Sequence, residues 1–307
     1  MFVVTYRKVF YSISVVLIAL SVFAIAYWGL NFGIDFKGGS IIEVSYAPER
    51  PSQEEVQEHV TSLSLGEALV RPAGDDSYII RTRTLTEPER QMLTSSLLGT
   101  NGTSSATSSV GSAQIKRFDS VGPVLGAELQ SKAIWSIVLV ILAIILFITF
   151  AFRKVSEPVA SWKYGSVAII ALFHDVIVPT GLFAYLGRNG GYEIDALFIT
   201  AILVILGFSV HDSIVVFDRT RENLQHNTGK KSFADVVGES ISQTFSRSIN
   251  TSFTTILALL AVYFIGPEAT RTFSLALVVG IAVGTYSSIF IGSPLLVTLQ
   301  KFQKKGR

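Results

Sequence analysis

The chain has 307 residues, of which 49% are hydrophobic and only 16% are charged, and its mean hydropathy is +0.49. These values exclude a soluble globular domain of this length and favour a membrane protein with several spanning helices. The formal net charge of +2 predicts no nucleic-acid partner, and the absence of cysteine excludes thiol catalysis, thiolate metal sites and disulfides.

Six stretches of the chain are long and apolar enough to cross a membrane. Four contain no Asp, Glu, Lys or Arg, whereas Asp175 interrupts the third stretch and Asp212 the fourth. Each is long enough to cross a hydrocarbon core about 30 Å thick. The sequence therefore predicts a polytopic α-helical membrane protein with six transmembrane helices. In chain order these lie within residues 9–34, 133–152, 164–187, 196–217, 248–267 and 272–300.

The first stretch has a second interpretation as a signal peptide. Arg7 and Lys8 precede an apolar run, and residues 24–26 have the small-residue spacing of a cleavage site. The apolar run continues past this point to Tyr27 and Trp28, which are typical of the membrane interface. We therefore favour a helix that remains in the mature protein.

A water-exposed domain of about a hundred polar residues is predicted between the first and second helices. Ser52 with Glu55, and Thr86 with Glu89, have the spacing of capping boxes at two helix starts, and the helices are expected to end near residues 63 and 99. The predicted strands lie at residues 40–46, 66–71, 77–83 and 114–121, with a turn at 73–76.

The predicted order of these elements, βαββαβ, is that of an α+β ferredoxin-like domain. This fold hosts many functions, so the domain by itself indicates none of them. A Ser-, Thr- and Gly-rich segment at residues 102–111 is expected to be a mobile loop.

The distribution of basic residues predicts the orientation. With the N-terminus in the cytoplasm, 14 Lys and Arg residues fall in cytoplasmic segments, and the short external loops hold only Arg188 and Arg271. The external domain is net negative, with 13 acidic and 9 basic residues, as the positive-inside rule prefers. We therefore predict two cytoplasmic termini and four segments. These are the N-terminus with the first helix (1–34), the external domain (35–132), the other five helices (133–300) and a basic cytoplasmic tail (301–307).

The two carboxylates within the predicted helices are candidate functional groups. Placing an Asp at the centre of a membrane helix costs about 2.5 to 3.5 kcal/mol, so each needs a compensating role or partner. Asp212 is expected in the inner half of the membrane and Asp175 near its midplane. Each could carry ions or could be a structural hydrogen-bonding residue.

A polar stripe on the fifth helix supplies a candidate partner for Asp212. Its residues recur at helical spacing, so they lead from the cytoplasm into the membrane with one cation among them. Such a face is typical of a water-filled or proton path, although interhelical hydroxyl bonding and a cation that extends to the interface would give the same pattern. The stripe consists of Ser240, Thr244, Arg247, Thr251 and Thr255.

Several other functions find little support in the sequence. His174 and His211 precede the two carboxylates, but neighbouring helix residues point about 100° apart, so no metal site is predicted. The two Asp residues lack the sequence context of intramembrane aspartyl proteases, and no phosphate-binding loop is present. The sixth helix carries small residues at every fourth position, which predicts a helix-packing seam of Ala276, Gly280, Gly284, Ser288 and Gly292.

These residues resemble a known family. The segments NFGIDFKGG (31–39), HDV (174–176), SVHDSIVVFDRTREN (209–223), RSINTSFTT (247–255) and GIAVGTYSSIF (280–290) are similar to those of the SecF family of protein-export subunits. The similarity runs in order through nearly the whole chain and is weakest in the external domain. The family motifs include Gly33, Asp35, Gly38, Gly39, Asp218, Arg219, Arg221, Glu222 and Asn223.

The resemblance implies membership of the resistance-nodulation-division superfamily, which uses proton flow through intramembrane carboxylates. Asp212 then corresponds to the family's proton-carrying aspartate, Arg247 to the basic residue near it, and Asp175 to a further motif position. The family usually has Asn where this chain has His211, so a group that titrates near neutrality replaces a neutral amide. Because of this difference, the resemblance does not predict how the activity of this chain depends on pH.

The expected function is that of a non-enzymatic accessory subunit of protein export in the bacterial inner membrane, with the proton as coupling ion and no cofactor. Its expected partners are a SecD-like six-helix subunit, the Sec translocation channel and unfolded exported polypeptide. The alternative is a stand-alone proton-coupled exporter of lipids or small molecules. Copurification with the secretion channel would discriminate between the two.

Overall fold

The computed structural model describes residues 2–99, 112–152, 161–227 and 231–305. The expected loop at 102–111 therefore lies outside the described residues. The chain divides into two compact units, one formed by residues Met1–Asn31 with Ile134–Arg307 and the other by Phe32–Ala133.

The described helices, in chain order, are α1 (Phe2–Thr5), α2 (Arg7–Trp28), α3 (Ile34–Lys37), α4 (Gln53–Ser62), α5 (Glu87–Leu97), α6 (Pro123–Ala151), α7 (Ser161–Gly190), α8 (Ala196–His226), α9 (Phe233–Ile265), α10 (Glu268–Ser287) and α11 (Ser293–Lys305). The strands are β1 (Gly39–Ala47), β2 (Leu69–Ala73), β3 (Ser77–Thr82) and β4 (Ser112–Val121).

Six helical segments are long and apolar enough to cross a membrane, which confirms the six predicted spans. They are α2, α6, α7, α8, α9 and the continuous segment Glu268–Gln300. The most apolar stretches of α7, α8 and Glu268–Gln300 are 56%, 50% and 61% buried, whereas the other three are 17% buried or less. Three central helices therefore form the core of this unit.

Small residues allow the central helices to approach each other closely. All five residues of the predicted seam are buried. A Cβ atom added at Gly280 would overlap the side chain of Ile205, and one added at Gly284 would lie 3.1 Å from the Cβ of Ser209. The seam therefore packs α10 directly against α8. Gly181 has the same role between α7 and α2, because an added Cβ would overlap Ser21.

The sixth span is not one continuous α-helix. A π-helical turn over Ser288–Gly292 separates α10 from α11, and the Ser293 N–H donates to the carbonyl of Ser288. Each π turn holds an extra residue, so the faces of α10 and α11 are rotated relative to a regular helix. The predicted spacing of four residues along the whole seam is interrupted at this turn.

The second unit is a four-stranded antiparallel sheet in the order β2-β3-β1-β4, which confirms the predicted ferredoxin-like arrangement. Its core contains Ile42, Val44 and Ile80 of the sheet together with Val60 and Leu93 of the helices. The Ser52–Glu55 capping box is present, with Glu55 N donating to Ser52 Oγ at 3.2 Å and Ser52 N to Glu55 Oε2 at 3.0 Å.

The glycines of the first family motif have conformations that side chains disfavour. Gly38 and Gly39 have φ angles of +75° and +137°, and a Cβ at Gly39 would lie 2.9 Å from the carbonyl oxygen of Thr82. Gly33 precedes α3, and Asp35 lies in its first turn. In this unit the two consecutive glycines therefore form the backbone entry into β1.

Candidate functional site

Asp175 lies at the junction of the three central helices. Its side chain is fully buried, and Oδ2 accepts hydrogen bonds from Ser209 Oγ of α8 at 2.5 Å and Ser287 Oγ of α10 at 2.7 Å. Its Oδ1 lies 3.0 Å from Nδ1 of His174. Both oxygens therefore have partners, so Asp175 joins α7 to α8 and α10.

His174 continues this buried cluster. Its ring lies beside that of Tyr286, with centroids 6.1 Å apart, and its Nε2 has no hydrogen-bond partner among the described residues. The Tyr286 hydroxyl donates to the carbonyl of Phe10 at 3.0 Å and lies 3.4 Å from Ser14 Oγ. The polar groups around Asp175 thus extend towards α2.

Asp212 is in the opposite situation. Its side chain is 3% exposed, and its Oδ2 is buried with no hydrogen-bond partner among the described residues. Ser248 Oγ lies beside this carboxyl but does not meet hydrogen-bond geometry, and Thr285 is also close. A buried oxygen without a partner costs about 1–3 kcal/mol, and a bound proton would neutralise the carboxylate and let it donate a hydrogen bond to a neighbouring hydroxyl.

Buried hydroxyls of α8, α9, α10 and the π turn form further hydrogen bonds near the two carboxylates. Ser288 Oγ donates to the carbonyl of Ser209 at 3.1 Å and lies 3.0 Å from Ser213 Oγ. Ser252 Oγ of α9 lies 2.5 Å from Thr285 Oγ1 of α10. Hydroxyl groups both donate and accept hydrogen bonds, so such a cluster is chemically suited to passing a proton.

The predicted polar stripe of α9 divides between two faces. Ser240 and Thr244 are buried, Arg247 and Thr251 are exposed, and Thr255 is half-buried. The buried face continues instead through Ser248 and Ser252, which the sequence analysis did not single out.

Arg247 forms no ion pair with any residue that the structure describes. Arg247 is nevertheless near enough to Asp212 for the two side chains to interact electrostatically. His211, whose side chain is exposed, also lies within this range of Asp212. The two carboxylates, Arg247 and His211 therefore do not form one contacting group in this conformation.

The motif at the end of α8 makes a hydrogen-bonded contact with α9. Gln243 Oε1 accepts from Arg219 Nε at 2.6 Å and from Asn223 Nδ2 at 2.8 Å, and Asn223 Nδ2 also donates to Ser240 Oγ at 2.8 Å. We call these four side chains the α8–α9 clasp.

The other residues of this motif surround the clasp. Glu222 accepts from Arg219 at 2.5 Å, and Asp218, which is exposed, lies 3.9 Å from Arg221. In the described ranges, no cluster of three His, Asp or Glu side chains is placed to hold a metal ion.

Hydroxyl residues are what the sequence analysis missed at this site. Ser213, Ser248, Ser252, Thr285 and Ser287 are all buried near the carboxylates. The sequence contains part of the information needed to find them. Three hydroxyl residues lie within four positions of an otherwise apolar stretch, namely Thr285, Ser287 and Ser288. Their partners, however, come from other helices and cannot be read from helical spacing.

The chain is similar to known protein-export proteins. Residues 102–302 match the family described as "Protein export membrane protein SecD/SecF, C-terminal", and residues 29–49 match the "SecD/SecF GG Motif". The second match contains the glycines that lead into β1.

Curated relatives match along more than nine-tenths of their length. The protein translocase subunit SecF of Thermobaculum terrenum is 42% identical, over 96% of this chain and 93% of that protein. The protein of the same name from Sebaldella termitidis is 36% identical, over 97% of this chain and 91% of that protein.

Two solved structures share the fold. A crystal structure of a Thermus SecDF, a translocon-associated membrane protein, matches with a TM-score of 0.81 and 30% identity. A SecDF structure in the super-membrane-facing form matches with a TM-score of 0.64 and 31% identity. The chain described here corresponds to 38% of the length of each of these longer chains.

Proposed function

Because this chain belongs to the SecD/SecF family of protein-export membrane proteins and is an accessory subunit of Sec protein translocation, we propose that it uses the proton gradient to assist export. In this proposal Asp212 carries the proton. The protein acts by movement rather than by covalent catalysis, with no cofactor.

The buried carboxyl oxygen of Asp212 without a hydrogen-bond partner is the observation that carries the proposal. Asp175, in contrast, has partners on both carboxyl oxygens, as expected for a structural residue that holds the helices together. The hydroxyls of Ser248 and Thr285 beside Asp212 supply groups that a proton can reach.

Movement of α8 relative to α9 would couple the proton to conformation. Bringing the guanidinium of Arg247 towards Asp212 favours proton release, and separating the two favours uptake. Each proton that moves through 100 mV releases about 2.3 kcal/mol, which shifts a two-state equilibrium by nearly fifty-fold. The external domain would use this shift to hold or pull emerging polypeptide.

The exposure of Arg247 and His211 supports a second subunit. Both side chains are exposed although they lie on the membrane-spanning helices α8 and α9, and a polar or charged side chain that faces lipid is costly. A SecD-like subunit with six helices would cover them, in agreement with the greater length of the matched SecDF chains. The further partners are the Sec channel and unfolded polypeptide. The proposed location is the bacterial inner membrane, and the bias of basic residues supports a cytoplasmic position for both termini.

The test replaces Asp212 by Asn in the assembled export complex. The amide keeps the volume of the carboxyl but cannot exchange a proton, so export should fall to the level seen without this subunit while assembly is unchanged. Precursor export into vesicles with a fixed proton gradient measures this. Asp75→Asn, the same change in an exposed turn of the external domain, is the matched control. Normal export by Asp212→Asn would rule out the proton role.

A further inference from the structure

The α8–α9 clasp lies in line with Asp212 and Arg247. On α8, Arg219 and Asn223 come seven and eleven residues after Asp212, which is close to two and three full helical turns. On α9, Ser240 and Gln243 come seven and four residues before Arg247, close to two turns and one turn, although Ser240 is buried and Arg247 is exposed. The clasp therefore lies along the boundary between α8 and α9, on the same side of α8 as Asp212.

The ends of the two helices are held together beyond the clasp. Asn227 Nδ2 donates to the carbonyl of Lys231 at 2.9 Å, and Lys231 N donates to Asn227 Oδ1 at 3.2 Å. These bonds and the short connection between the helices restrain this end, so α8 and α9 separate more easily further along. The clasp lies between this end and Asp212, so it restrains that separation.

The bonds of the clasp can open without leaving a buried group unpaired. Arg219 and Asn223 are half-buried and Gln243 is exposed, so water can replace their partners at small net cost. Ser240 is fully buried, but its hydroxyl also donates to the carbonyl of Val236 at 2.7 Å. It keeps that hydrogen bond when Asn223 moves away.

We propose that the α8–α9 clasp is a latch, and that its opening gives Asp212 access to water from the side of the membrane on which the clasp lies. This role rests on the proposed function of Asp212. Arg219, Asn223 and Gln243 are thus positioning residues, which control when the carboxyl exchanges its proton.

The chain contains no cysteine, so a reversible lock can be introduced cleanly. The test is the variant Asn223→Cys with Ser240→Cys in the assembled complex, because the two native side chains are in hydrogen-bond contact at 2.8 Å. Each single-cysteine variant is the matched control. We would measure proton-driven precursor export and carbodiimide labelling of Asp212, with Asp212→Asn giving the background.

Oxidation should lower both export and labelling by about tenfold in the double variant, and reduction should restore them. The single-cysteine controls should not respond. A disulfide-bonded protein that exports and labels as the controls do would overturn the latch. If in addition Asp212→Asn exports normally, the proposed function fails as well, so the two failures are distinguishable.

A second variant decides the matter if the disulfide does not form. Gln243→Leu removes the acceptor shared by Arg219 and Asn223, so labelling of Asp212 and passive proton leakage into vesicles should rise by about tenfold. Gln225→Leu makes the same change at an exposed position of α8 outside the clasp. Equal labelling and leakage in the two variants, at equal amounts of assembled protein, would overturn the latch.

Discussion

Asp175 and Asp212 have opposite hydrogen-bond environments. The sequence identifies Asp175 and Asp212, since each is a lone carboxylate in an apolar stretch. It does not separate their roles, because the partners of Asp175 come from α8 and α10, which are far away in the chain. Only the convergence of three helices shows that Asp175 is fully paired and that Asp212 is not.

At Asp175 we expect a structural effect. Asp175→Leu would leave the hydroxyl of Ser209 buried without its acceptor, at about 1–3 kcal/mol, whereas Ser287 Oγ would keep the carbonyl of Gly284 as an acceptor at 3.0 Å. It should therefore lower the melting temperature of the detergent-solubilised complex clearly. Asp175→Asn keeps one acceptor oxygen and should lower it less. Unchanged melting in both variants would contradict this role, and Asp212→Asn, which loses no hydrogen bond to a described residue, is the comparison.

For Arg247 the charge should matter more than the shape of the side chain. The guanidinium has no ion-pair partner among the described residues, so its effect on Asp212 acts through space. Arg247→Ala should slow export about tenfold, equivalent to about 1.4 kcal/mol, whereas Arg247→Lys should stay within about twofold of the parent. Vesicle export rates at fixed potential measure both. Equal, near-normal rates would indicate a cation that only extends to the interface.

At the scale of elements, helix positions are easier to predict than helix faces. The six spans and both helix starts of the external domain follow from hydropathy and capping residues. On α9, however, the polar residues after Thr244 continue along two faces, through Arg247 and Thr251 or through Ser248 and Ser252. Both spacings are helical, so only packing against α10 decides which face is buried. The π turn is likewise absent from the prediction, because helical periodicity assumes a regular α-helix.

Close packing of α10 on α8 should depend on Gly280. Gly280→Ala places a Cβ against Ile205, and such overpacking typically costs about 1–3 kcal/mol. We expect a lower melting temperature, partly recovered when Ile205→Val removes the Cδ1 atom nearest to the added Cβ. Gly207→Ala on α8 is the control, because no described atom lies within 4 Å of the added Cβ. A Gly280→Ala protein as stable as this control would contradict direct contact at the seam.

At the scale of the whole molecule, the chain has two units, one with surfaces suited to lipid and one with surfaces suited to water. The membrane unit is specified by long apolar stretches, and the external unit has its own buried core and capped helices. The order βαββαβ could be predicted because each element has a local signal. Which hydroxyls surround Asp212 could not, because they come together only when the helices pack.

The external unit, expressed alone as residues 32–133, should be soluble. Its free energy of unfolding should fall in acid as Glu89 becomes protonated. The Arg83 guanidinium and the backbone and side chain of Thr86 lower the pKa of Glu89 to about 2 from an ordinary value of 4.5. This contribution is present above about pH 4.5 and is lost as the pH falls towards 2. Glu89→Gln should therefore be less stable than the parent at pH 7, and the difference should shrink below pH 4.5.

Urea unfolding at several pH values measures this difference. Glu58→Gln is the control, because Glu58 is exposed on α4 and has no hydrogen bond or ion pair with a described residue. A destabilisation by Glu89→Gln that is the same at pH 7 and pH 3 would show that the carboxylate is not the cause.

The fully buried cluster around Asp175 has a consequence for biogenesis. The third span enters the membrane during synthesis before α8 and α10 exist, so its carboxylate first meets lipid or the insertion machinery without Ser209 and Ser287. This carboxylate costs about 2.5 to 3.5 kcal/mol at the centre of a membrane helix, so stable insertion of α7 across the membrane is disfavoured at that stage. This cost is fully relieved only after the ribosome has made both α8 and α10. The nascent chain should therefore remain accessible to quality-control proteases until its last span has been inserted, and truncation before Ser287 should yield a rapidly degraded product.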